Sequence, residues 1–188
     1  MSYNPHDRYY KKAKHEGYRS RAAYKLLELQ QRYRLLRSGD NVVDLGAAPG
    51  GWSQVAAEKV KPGGRVLAID LLPIVPISGV TTHQGDFREI GYNERADLVL
   101  SDLSPNLSGI RNVDQARWLE LAEAALELSR KWLKPDGVFV VKAFHGEAFD
   151  TLRSRLESAF KKVKIIKPPA SRGESTETYV VARALRAG

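Results

Sequence analysis

Cysteine is absent from this chain, and with it every disulfide and every thiolate–metal site. No apolar run approaches the roughly 20 residues of a membrane helix. The opening residues Met1-Ser2-Tyr3-Asn4-Pro5-His6-Asp7 lack the apolar core of a secretory leader. The expectation is a soluble, cytoplasmic protein with no membrane partner. A Gly-Lys-[Ser/Thr] triplet is missing, which excludes a P-loop. No His, Asp or Glu cluster has metal-ligand spacing, so no metal is expected. Internal repeats and low-complexity tracts are lacking too.

What is present suits one domain spanning residues 1–188, with a hydrophobic content of 43% that can fill one core. The net charge is +8, and residues 1–37 carry ten Lys/Arg against three Asp/Glu. A one-sided basic segment suits a polyanion, because each phosphate contact releases counterions; it equally suits a tail kept for solubility.

Along the chain, residues 1–15 are polar, aromatic and basic, and read as partly disordered in the free protein. Helical spacing of Ala23, Leu26, Leu27 and Leu29 predicts a helix from Ser20 to Leu36. Strands are then expected at 41–45, 65–70, 81–84, 96–101 and 138–142, alternating with helices at 52–61, 114–133 and 147–160. Two further strands, 162–167 and 177–183, have no helix between them and should pair as a hairpin. The fold class is therefore α/β: a Rossmann-like, mostly parallel seven-stranded sheet, antiparallel in its last strand, with helices on both faces.

In such sheets ligands bind beyond the carboxyl ends of the strands, at the switch point. The segment Asp44-Leu45-Gly46-Ala47-Ala48-Pro49-Gly50-Gly51-Trp52 joins the first strand to the helix after it. Gly46, Gly50 and Gly51 permit close backbone approach there, with Trp52 following. After Gly46 the next glycine is Gly50, so this is not a dinucleotide fingerprint. A cofactor without phosphates fits better, and S-adenosylmethionine is the candidate. Asp70 ends the second strand, where a carboxylate can accept ribose hydroxyls, with Leu71 beside it. Asp86 follows the third strand, where it can take an adenine amino group beside Phe87. Each acid is alternatively an ordinary turn former.

These segments, with Arg19–Leu26, Ser101-Asp102-Leu103-Ser104-Pro105-Asn106, Phe139-Val140-Val141-Lys142 and Glu177-Thr178-Tyr179, resemble the FtsJ-like (RrmJ-type) RNA ribose 2′-O-methyltransferases. Within that family the likeness is to the bacterial branch acting on a uridine ribose of large-subunit ribosomal RNA. Ser104, where that branch often has alanine, is a minor departure. The resemblance implies a catalytic tetrad at Lys25, Asp102, Lys142 and Glu177, with Asp102 also at the cofactor. It further implies ribosomal RNA in the large subunit as partner, and a monomer.

The residue types suit that chemistry. A ribose 2′-hydroxyl is a weak acid and must lose its proton as it attacks a methyl group. Lysine is ordinarily protonated, but burial and a second cation lower its pKa. Lys142 closes an apolar strand and is expected as the base, or as the group that orients the hydroxyl. Lys25 would supply the second cation, and Asp102 and Glu177 would position the lysines. Taken singly, Lys25 reads as a surface lysine, Asp102 as a strand-end turn residue and Glu177 as an edge-strand acid.

Lys11, Lys12, Arg19, Arg21, Arg32 and Arg172 are candidates for RNA phosphate contacts. Tyr9, Tyr10 and Tyr18 either stack on bases or pack the N-terminal arm onto the domain. The apolar stripe of the 114–133 helix reads as core, and His145 as incidental. Other readings stay open: the same chemistry on tRNA or an mRNA cap, and a non-catalytic RNA-binding module. A nicotinamide oxidoreductase is disfavoured by the glycine spacing.

Overall fold

Val42 and Val43 turn to opposite faces of one strand, and the two halves of the core follow from that alternation. The computed structural model describes residues 8–168, 170 and 176–187. The elements are α1 (Arg8–His15), α2 (Ala22–Tyr33), β1 (Asn41–Leu45), α3 (Gly51–Lys59), β2 (Arg65–Asp70), β3 (Val80–Gln84), a 3-10 turn (Phe87–Glu89), β4 (Ala96–Ser101), α4 (Arg111–Trp132), β5 (Leu133–Phe144), α5 (Glu147–Ala159), β6 (Phe160–Ile166) and β7 (Glu177–Leu185).

The strands form one sheet in the order β3-β2-β1-β4-β5-β7-β6. Six point the same way, and β7 runs against both neighbours. Val42, Leu98, Leu100, Val140 and Val181 face α2 and α3; Val43, Leu45, Val99, Phe139, Val141 and Val180 face α4 and α5. The chain leaves β1 for β2 and β3, then crosses back to β4. That reversal opens a crevice beyond the carboxyl ends of β1 and β4. No described helix is long and apolar enough to cross a membrane.

One open alternative is decided and two sequence expectations are corrected. Part of the N-terminal arm is ordered: α1 buries Ala13 against Tyr24 and Ala170, and Tyr9 and Tyr18 ring Tyr24 with centroids at 5.5 and 5.7 Å. Helix α4 starts a turn before Asp114, whose carboxylate instead accepts from Ser108 N, Ser108 Oγ and Gly109 N to brace the preceding loop. Strand β5 is longer than the apolar run at 138–142. Leu133 already pairs with Ala96, and the Lys134-Pro135-Asp136-Gly137 turn is an irregularity before pairing resumes at Leu98 and Val138.

Candidate active site

The loop after β1 is shaped by what would collide with it. Gly46 has φ +74°, and a Cβ there would lie 2.8 Å from Leu103 Cδ2. A Cβ on Gly51 would strike Ser20 Oγ. The glycines therefore let the β1 loop, the β4 loop and the start of α2 close on one another. Gly50, at φ +107°, opens α3. A cavity of about 790 Å³ lies between these segments, β5 and the first turns of α4, and Lys25, Asp44, Asp102, Lys142 and Glu177 line it.

Lys25, Asp102, Lys142 and Glu177 arrive from α2, the end of β4, β5 and β7 as two ion pairs. Lys25 Nζ lies 2.5 Å from Glu177 Oε1, and Lys142 Nζ lies 3.2 Å from Asp102 Oδ1. Lys142 also donates to the Asp102 carbonyl at 2.6 Å. Lys25 is 9% exposed and Lys142 4%, so neither is a solvated surface lysine. Each buried ammonium has its own carboxylate, the arrangement burial demands. Lys142 is held by its strand from both sides: it pairs with Tyr179 in the β5–β7 ladder, and its carbonyl accepts from the Trp118 indole at 3.1 Å.

Tyr179 joins the two pairs and was not singled out from the sequence. Its hydroxyl donates to Asp102 Oδ1 at 2.9 Å, and Lys25 Nζ donates to it at 3.4 Å. Burial, then the charges of Asp102 and Glu177, pushes its pKa well above the tyrosine range, so it stays a donor. A signal existed: Tyr179 stands two residues after Glu177, on the same face of a strand.

Asp44 was also missed as a functional group, although an acid inside an apolar strand is a signal in itself. It is fully buried; Oδ2 accepts from Ser53 Oγ at 2.6 Å, while Oδ1 has no partner among the described residues. Burial raises its pKa to about 7, against the lowering effect of Ser53. A buried unpaired carboxylate oxygen at a cavity is a fit for a ligand's cationic or N–H group. Together with the glycine-lined loop it answers to the polar end of an amino-acid-bearing cofactor.

The remaining cofactor candidates lie on the β2–β3 side. Asp70 accepts from Ala48 N at 2.9 Å and Leu72 N at 2.8 Å, tying the loops after β1 and β2 together. Leu71 is exposed beside it. Asp86 is engaged by its neighbour: Arg88 Nε lies 3.0 Å from both its oxygens, and Arg88 Nη2 lies 2.5 Å from Oδ2. Those bonds hold its pKa below the usual carboxylate value. Phe87 is buried in the core below the turn rather than presented as an open ring face. Trp52 is buried, donates its indole N–H to Ala22 O at 2.8 Å, and packs on Tyr179 at 5.4 Å. It borders the cavity chiefly as a wall.

The basic candidates divide. Arg21 lines the cavity and donates to Ala170 O at 2.6 Å. Arg19 is engaged in structure: its guanidinium meets the carbonyls of Pro49, Val75 and Pro76. Lys11 and Lys12 are exposed on α1, Lys12 with Glu16 at 3.8 Å. Arg32 sits at the opposite end of α2 from the cavity. Arg172 lies outside the described residues. Among the described residues, no group of His, Asp or Glu is placed to hold a metal.

A doubly wound sheet of this order, with its reactive groups gathered at the carboxyl ends of the central strands, defines the methyltransferase class of α/β proteins. The FtsJ-like methyltransferase family model matches residues 18–185, and the chain belongs to that family. It is 53% identical over 186 residues to "Ribosomal RNA large subunit methyltransferase E" of Thiobacillus denitrificans, covering 94% of this chain and 84% of the relative. The protein of that name in Azoarcus sp. is 50% identical, with 96% and 92% covered. A Plasmodium falciparum structure, assigned provisionally as a ribosomal RNA methyltransferase, superposes with a TM-score of 0.80 at 28% identity over 89% of this chain and 98% of the other. A Streptococcus mutans methyltransferase-like structure in complex with SAH shares the fold at 12% identity, with a TM-score of 0.59 over 85% of this chain and 97% of the other.

Proposed function

We propose that this chain is an S-adenosylmethionine-dependent RNA ribose 2′-O-methyltransferase, acting as a monomeric single domain on a uridine of large-subunit ribosomal RNA in the cytoplasm. The observation that carries the reading is the pair of lysine–carboxylate bridges, joined through Tyr179, on the wall of a cavity that opens beside the β1–β4 crevice. When bound, the cofactor supplies a methyl group made electrophilic by its sulfonium.

Two of the three N–H directions of Lys142 are fixed on the Asp102 carbonyl and carboxylate. The third position faces the cavity: as an N–H it can donate to a ribose 2′-oxygen and hold it, and once Lys142 has lost that proton the amine lone pair can accept the 2′-hydroxyl proton as the oxygen is methylated. Asp102, fixed by Tyr179, sets where Lys142 points. Lys25 and Glu177 close the other side, and the four formal charges sum to zero, so the site asks for no counterion. Asp70 and Asp86 would hold the nucleoside end of the cofactor and Asp44 its cationic end. The relatives named above act, by name, on large-subunit ribosomal RNA, which supports that substrate.

The reading is tested by transfer of labelled methyl from S-adenosylmethionine to a panel of large-subunit RNA, intact large subunits, tRNA and capped RNA, with the product mapped to the ribose. Label on one large-subunit uridine ribose is expected. Label confined to tRNA or caps overturns the substrate, and none on any RNA overturns the activity.

A further inference from the structure

The charges around the cavity cancel; those at the far end of α2 do not. Helix α2 runs from Lys25 beside the cavity to Tyr33, whose carbonyl accepts from Arg183 Nη2 at 2.7 Å. Arg183 pairs with Val138 and Lys162, four residues before Lys142 along β5 and so away from the crevice. Ile166 enters the core beneath α2, so two-residue alternation puts Lys164 and Lys162 on that same face of β6. Lys164 Nζ indeed stands 5.7 Å from the centre of the Tyr33 ring. Arg32, Arg34 and Arg37 are exposed on the turn that ends α2.

Among the described residues none of these six cations is in an ion pair. Asp40 is near enough to Arg37 to feel its charge, but its carboxylate accepts from the Arg37 backbone N–H at 2.7 Å. The crowding registers at Arg183, whose pKa is pushed down by burial and then by Arg37. Like charges gathered on a surface oppose folding until a partner of opposite sign meets them. Lysines on an edge strand also discourage pairing between sheets. That is one use for Lys162 and Lys164, and the Tyr33 carbonyl is one for Arg183, but neither explains Arg32, Arg34 and Arg37 beside them.

We propose that this face, the end of α2 with β6 and the adjoining end of β7, is a second RNA contact that grips the phosphate backbone of a helix remote from the methylated nucleotide. The proposal rests on the RNA-methyltransferase reading and deepens it. Lys162 and Lys164 are spaced by about 7 Å along the strand, and with the arginines they form a track rather than a pocket, which suits a repeating polyanion. The contact would add affinity for a large RNA without altering the chemistry, by raising the effective concentration of the target loop at the cavity.

The test uses the full chain with Lys162→Glu and Lys164→Glu together, and Lys162→Gln with Lys164→Gln as the milder pair should the first not fold. Neither residue lines the cavity. Large-subunit RNA is compared with a short hairpin carrying only the target loop. Affinity for the long RNA should fall at least tenfold in the reversal pair. The slope of log affinity against log salt should flatten by about two in the neutralised pair. Turnover on the hairpin should stay within twofold. Unchanged long-RNA affinity and slope overturn the proposal, as does an equal loss on both RNAs. Binding of the wild type to phosphatidylserine vesicles through these lysines, unrelieved by RNA, would overturn it in favour of a membrane. Long-RNA binding that depends on these lysines, with no methyl transfer to any RNA, would leave the surface standing and sink the functional reading alone.

Discussion

On the side of the crevice formed by α2, β4, β5 and β7, two buried lysines are already paired with half-buried carboxylates. Lys25 has Glu177, Lys142 has Asp102, and Tyr179 links them. On the β2–β3 side the acids are half-buried too, but Leu71 is exposed and the partner of Asp86 is a half-exposed arginine two residues away rather than a buried lysine. The first side is fixed before any ligand arrives, as catalysis by positioning requires. If Asp86 takes a nucleoside's amino group, as proposed, the second must exchange partners, because Arg88 already occupies both of its oxygens. On the function proposed above, chemistry and cofactor capture fall to opposite walls, and substitutions should separate them.

The largest effect is expected from Lys142→Ala. Turnover should fall by about a thousandfold or more, while cofactor affinity measured by calorimetry changes only a few-fold; near-normal turnover would remove Lys142 from the chemistry. Asp44, between the two walls, should show itself through pH. Its folded pKa of about 7 exceeds the unfolded value, so the unfolded chain ionises first. The carboxylate penalty is absent below about pH 4, grows as pH rises, and is complete above about 7. Asp44→Asn escapes it, and in denaturant titrations of the ligand-free protein should gain roughly 4 kcal/mol on wild type between pH 4 and 8. A pH-independent difference would contradict the buried, unpaired carboxylate.

Asp70→Ala should act on the other wall. It removes the acceptor that joins the backbone of Ala48 and Leu72, and cofactor affinity should drop by about tenfold to a hundredfold. Turnover at saturating cofactor should survive; its loss would mean that the walls are not separable. The smallest change is expected from Arg88→Ala. Freeing Asp86 should leave affinity unchanged or raise it by up to about threefold, because the exposed pair is worth little by itself. A large loss would show Arg88 to be a cofactor contact rather than a competitor.

Much of this was legible in the residue order. The apolar strands announced a parallel sheet because both faces of such a sheet are covered. The helix-free link between β6 and β7 announced the antiparallel last strand. The glycines after β1 marked the loop, and residue types kept at Lys25, Asp102, Lys142 and Glu177 marked the tetrad by resemblance. Other features were not legible. Whether Tyr9 and Tyr18 stack on RNA or pack on Tyr24 depends on contacts 6 to 15 residues along the chain. Arg19 and Arg32 looked alike as surface cations, yet one clamps loop carbonyls and the other lies at the far end of its helix.

The sequence by itself determined the periodicities, and hence the elements, their order and the end of the sheet where a ligand sits, since these depend on neighbours within a few residues. Only the tertiary structure decided which lysine meets which carboxylate. Lys25 and Glu177 are 152 residues apart and Lys142 and Asp102 are 40 apart. Burial then made those pairings obligatory, because an ammonium removed from water has to find its counter-charge wherever the fold delivers it.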